Sequence, residues 1–115
     1  MLATGVAVLG FGGPVAAASA AAVTCTFTKE CYEAEACDTS DFHLQVDLDD
    51  KKISTDYGDL TIVAVKEETK FTVMFATGKG AEYLLSYTPT AARMSSQIND
   101  GPQVVTYLGK CEELN

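Results

Sequence analysis

The chain has 115 residues, 47% hydrophobic and 21% charged, a balance that provides for one folded domain and excludes an intrinsically disordered protein. Its 16 acidic residues outnumber 8 basic ones to leave a net charge of −8, which disfavours nucleic acid and anionic lipid as partners and favours basic ones.

The first 23 residues carry no charge. They run into Ala18-Ser19-Ala20, which has the small-residue form of a signal-peptidase site, so residues 1–20 are expected to be an export signal and 21–115 the mature domain. No Lys or Arg opens the segment, contrary to the usual signal. Gly10, Gly12, Gly13 and Pro14 break it up and no basic cluster follows, which argues against a retained membrane span. Thr24 before Cys25 departs from a lipid-attachment box. The expected location is the periplasm or the extracellular space, with no stable membrane insertion after cleavage.

Beyond the leader, apolar residues recur with period two. Val23, Cys25 and Phe27 share one face, and Thr24, Thr26 and Thr28 the other. Phe42, Leu44, Val46 and Leu48 alternate with His43, Gln45 and Asp47, as in a strand buried on one side. A turn at Asp49–Lys51 leads to a short strand over 52–55, and Asp56-Tyr57-Gly58-Asp59 turns the chain again. Residues 60–66 and 70–75 form a hairpin, with Phe71, Val73 and Phe75 on one face. Strands follow over 81–87, 92–98 and 103–111, separated by turns at Pro89 and at Asn99-Asp100-Gly101-Pro102. The fold class is therefore all-β: an eight-stranded antiparallel up-and-down meander closing into a small barrel or flattened sandwich, stapled by disulfides.

Four cysteines in a short exported chain imply two disulfides with three possible pairings. In an eight-stranded meander the first and last strands run antiparallel, so on closure the start of one meets the end of the other. Cys25 occupies that start and Cys111 that end, and both share a face with apolar neighbours. The expected pairs are Cys25–Cys111 and Cys31–Cys37. An α-helix would hold Cys31 and Cys37 about 9 Å apart, beyond disulfide reach, so the segment between them is expected to be a tight loop. A zinc site from Cys25, Cys31, Cys37 and His43 is disfavoured by the six-residue spacing and by export.

No catalytic, cofactor or metal motif stands out. His43 is the single histidine, and on the exposed face with Gln45 and Asp47 it reads as part of a solvated strand. Asp49 and Asp50 lack the Gly and terminal Glu of a calcium loop. The distinctive surface is the loop from Lys29 to Asp41, where Glu30, Glu33, Glu35, Asp38 and Asp41 accompany an exposed Tyr32 on a segment that a Cys31–Cys37 bond would make rigid. Such a loop suits recognition.

The layout, and Lys79-Gly80-Ala81-Glu82-Tyr83 after a hairpin turn, resemble the periplasmic inhibitors of C-type lysozyme, which carry a Ser-Gly-x-x-Tyr motif on an exposed hairpin. Gly80 and Tyr83 match, Lys79 replaces the Ser, and the family's Thr-Lys-Gly motif is absent. The resemblance implies a disulfide-closed β-barrel that engages a basic hydrolase through Lys79 and Tyr83. The expected function is a non-enzymatic, exported acidic β-domain binding a basic protein or an envelope component, with inhibition of a hydrolase such as C-type lysozyme as the alternative.

Overall fold

The computed structural model describes residues 22–114; the expected leader and its cleavage position lie outside them. The described chain forms nine strands: β1 (Ala22–Tyr32), β2 (Asp38–Thr39), β3 (His43–Asp47), β4 (Lys52–Thr55), β5 (Gly58–Glu67), β6 (Thr72–Thr77), β7 (Ala81–Tyr87), β8 (Ala92–Ile98) and β9 (Gln103–Glu113). From β3 onward each strand pairs antiparallel with the next, β3 pairs with β1, and β9 returns to pair with β1, so eight strands close an up-and-down barrel. The short β2 pairs with β1 further along, through Lys29–Thr39 and Glu30–Asp38.

The connections follow from turn chemistry. Asp50 N–H donates to the Asp47 carboxylate at 3.0 Å, and Lys51 takes a left-handed φ of 53°. The Thr88 hydroxyl accepts from the N–H groups of Thr90 and Ala91, both at 3.2 Å, to form a Ser/Thr turn before β8. The turn at Gly78–Gly80 closes with Gly78 N–H donating to Ala81 O at 3.0 Å, and Asn99 N–H donates to Gly80 O at 2.9 Å, tying two neighbouring turns together.

Alternation places the core. Val23, Cys25 and Phe27 of β1 and Leu44 and Val46 of β3 point inward and are buried. Val46, Ile53 and Leu60 stand opposite one another across β3, β4 and β5, and Met74, Leu85 and Met94 across β6, β7 and β8. At roughly 1.5–3 kcal/mol for each large side chain removed from water, this continuous interior is the main source of stability. The face shared by Phe71, Val73 and Phe75 is the outer one. Phe75 is 39% exposed beside Leu84 at 48%, while Met74 and Ala76 occupy the interior.

Both expected disulfides are present, and there is no free cysteine among the described residues. Cys25 and Cys111 are directly opposite each other in the β1–β9 ladder. Cys31–Cys37 closes a tight turn in which Glu33 has a φ of 52° and Glu35 N–H donates to Tyr32 O at 2.9 Å. Two such bonds indicate an oxidising, exported compartment. No helix among the described residues is long and apolar enough to cross a membrane.

Candidate functional site

Strand direction sorts the connections into two groups. β1 runs toward an end built from residues 33–37, 40–42, 56–57, 78–80 and 99–102; the opposite end carries 48–51, 68–71 and 88–91. The loops of the first end hold Glu33, Glu35, Asp41, Asp56 and Asp100 against Lys79 alone. Those of the second hold Asp49, Asp50 and Glu68 against Lys51 and Lys70. Barrel closure thus gathers the acidic Cys31–Cys37 loop and the Gly78–Gly80 hairpin at one end.

A β-bulge sets the side chains of that end. The β1–β9 register shifts between Leu108 and Gly109, which pair with Lys29 and Phe27, leaving Thr28 as the extra residue. The inward parity of β1 therefore passes from odd to even residues. Glu30 faces Tyr107, and Tyr32 faces the buried Val105 at the barrel rim. Cys31, opposite Thr106, turns outward with its disulfide.

An aromatic stack fills the mouth. The Phe27 and Phe42 rings lie 6.2 Å apart at 21°, and the Phe42 and Tyr57 rings 6.1 Å apart at 20°, so three nearly parallel rings lead from the core to the surface. Tyr107 packs beside them, 5.1 Å from Phe42 and 5.8 Å from Phe27. Tyr57 ends the stack at 88% exposure. Its turn is held by the Thr55 hydroxyl, which accepts from Tyr57 N–H at 3.0 Å and donates to Gly58 O at 2.8 Å. The centroid spacings are those of favourable aromatic pairs.

The expected site residues take different roles. The Glu33 carboxylate accepts the Val104 N–H at 3.0 Å while its own N–H donates to Val104 O at 2.9 Å, so this acid pins the loop to β9. Tyr83 lies on the inward side of β7 between Ala81 and Leu85, packed against the core with its ring against Gly78. Glu30 and Tyr32 lie at the mouth, Glu35 and Asp38 are exposed on the loop, and Lys79 is at the hairpin tip. His43 is exposed, its Nε2 3.8 Å from the Asp56 carboxylate. No group of three or more His, Cys, Asp or Glu is arranged to hold a metal ion among the described residues. Sequence placed Phe42 on an apolar strand face and Tyr57 in a turn, but not the union of Tyr57, Phe42 and Tyr107 at one site. The available signal was an aromatic in the middle of the Asp56–Asp59 turn cluster, where a polar residue is usual.

The mouth shifts the ionisation of its phenols. A hydrogen bond with Glu30 and that residue's charge raise the Tyr32 hydroxyl above its ordinary value. Burial, reinforced by the Glu30 charge, pushes Tyr107 up to about 12. Below pH 10 the phenol is protonated in both folded and unfolded chains; as pH rises from 10 to about 12 the unfolded chain ionises first, so stability is lost across that window. Denaturation midpoints followed against pH are expected to fall there, and Tyr107→Phe to flatten the fall. An unchanged slope in the variant would deny Tyr107 this role.

No protein-family model, curated protein or solved structure matches this chain.

Proposed function

We propose that this is a non-enzymatic binding module of the periplasm or extracellular space, which engages a basic protein through the acidic, tyrosine-lined end of its barrel. The observation that carries this reading is the uneven charge of the two ends, with five loop acids against one lysine around the exposed Tyr57. Complementary charge steers encounter, and a rigid exposed aromatic among acidic loops is suited to anchor the contact. Tyr57 loses little freedom on binding because the stack through Phe42 and the Thr55 turn already hold it. Inhibition of a basic hydrolase such as C-type lysozyme is the more specific form of the same reading. Its support is the placement of Lys79 at this end; Tyr83, turned into the barrel, supports it less.

The test is retention of partners from the native exported fraction on the immobilised protein, at low salt and again at high salt. A triple variant, Glu35→Gln, Asp41→Asn and Asp100→Asn, removes three of the five loop acids, spares the structural Glu33 and is expected to lose the salt-sensitive partner. Tyr57→Ala is expected to weaken binding of the same partner by about 2 kcal/mol, roughly thirtyfold, with the fold intact. An unchanged set of retained proteins in both variants would sink the proposal. A lysozyme turbidity assay decides the specific form, since an uninhibited enzyme at micromolar protein rejects it.

A further inference from the structure

The outer face of the β1–β9 seam has the opposite electrostatic character from the rest of the molecule. A groove of about 650 Å³ runs along it, lined on β1 by Thr24, Thr26, Thr28 and Lys29, on β9 by Leu108, Lys110 and Glu112, and at the start of β8 by Arg93 with the preceding turn. Three of the chain's 8 basic residues converge there against one of its 16 acidic ones. None of the three cations forms an ion pair among the described residues, where the pairs are His43–Asp56 and Lys52–Asp59. Arg93 spends one guanidinium N–H on its neighbour's carbonyl, Ala92 O, at 2.8 Å.

Register fixes the spacing of these groups. Arg93, Leu108 and Lys29 form one cross-strand row, so the two cations are carried by backbones about 10 Å apart across two strand spacings. Lys110, opposite Thr26, lies in the next outward row, about 7 Å along the strands, and Glu112 opposite Thr24 in the row after that. The Thr28 bulge interrupts the ladder beside these rows, and the bare backbone of Gly109, which also lines the groove, lets β1 and β9 approach closely there.

We propose that this groove binds an anionic oligosaccharide, one carrying carboxylate or sulfate groups along its length. The volume falls in the range of small-ligand sites and exceeds what a lone inorganic anion fills. The lining supplies hydroxyls that both donate and accept, together with three cationic donors, matching a ligand that presents hydroxyls and anionic oxygens in series. β9 is paired on both sides and β1 is likewise flanked, so the seam has no free strand edge to hold a peptide through its main chain. This site is separate from the tyrosine end and does not depend on the reading given for it.

Calorimetric titration of the full chain with a sulfated heparin-type hexasaccharide and an oligogalacturonate of equal length tests the proposal. Binding of either supports it, and the stronger of the two identifies the preferred anionic group. A neutral glucan of the same length, inorganic sulfate and a poly-glutamate peptide are expected to bind at least about tenfold more weakly. Lys29→Gln, Arg93→Gln and Lys110→Gln together are expected to weaken the sugar by about tenfold or more. A control with the same change in net charge, Lys51→Asn, Lys66→Gln and Lys70→Gln, is expected to retain most of the affinity. Amide shifts on sugar addition are expected at Thr24, Thr26 and Thr28. Absence of binding by both anionic sugars, equal binding of the neutral glucan, the sulfate or the peptide, or equal weakening by the two triple variants would overturn it.

Discussion

Replacing Cys25 and Cys111 by alanine is expected to lower unfolding free energy by about 4.6 kcal/mol, against about 2.4 kcal/mol for the same change at Cys31 and Cys37. The difference lies in the loops that the bonds close in the unfolded chain, with sequence separations of 86 and 6 residues. A longer loop restricts more conformations of the unfolded ensemble, and domains of this size have only about 5–15 kcal/mol in total. The two bonds also occupy different places. Cys25 is fully buried and Cys111 8% exposed, so truncation there also leaves apolar space inside the barrel, whereas Cys31 and Cys37 lie on the outer surface. Urea denaturation of both double variants measures the comparison. Equal losses would mean that strand pairing closes the barrel without help from the terminal bond.

Gly109→Ala is expected to be nearly as damaging, at about 3–5 kcal/mol. A Cβ at this position would run into the Thr26 carbonyl oxygen and lie 2.6 Å from Phe27 Cα. Both obstacles are backbone atoms of the facing strand, so relief requires β1 and β9 to separate where the barrel closes. Gly78→Ala provides the contrast: its Cβ would approach Leu60 Cδ2 at 2.6 Å, but that methyl ends a flexible side chain and can move. The expected cost there is about 1–2 kcal/mol. Denaturation midpoints of the two variants test the ranking, and a mild Gly109→Ala would show that the seam yields.

Much of this architecture was legible because an antiparallel barrel buries one face of each strand, and Phe42 to Leu48 or Val23 to Phe27 record that in strict alternation. The terminal disulfide was legible from the same parity, since Cys25 and Cys111 each fall on the inward side of strands that must meet. β2 was not, because Asp38 and Thr39 are both exposed and leave no apolar trace. On β6, apolar residues occupy both faces, so alternation alone could not say that Met74 rather than Phe75 faces inward. The Thr28 bulge was hidden for a related reason: Gly109, on the facing strand opposite Phe27, has no side chain, and nothing before the fold shows that backbones must touch there. That single extra residue turns Glu30 and Tyr32 into the mouth, which is why the acidic loop was visible in sequence while its union with Tyr57 and Tyr107 was not.

The direction of β1 has a consequence for how the molecule is presented. Ala22 lies opposite Asp47, and Leu114 N–H donates to Ala22 O at 3.0 Å, so the two ends of the described chain leave side by side. They do so from the end opposite Tyr57, with the length of the barrel between them and the acidic rim. A tether to a surface, a fused domain or an affinity tag joined directly at Ala22 or Leu114 would be attached on the side away from the tyrosines.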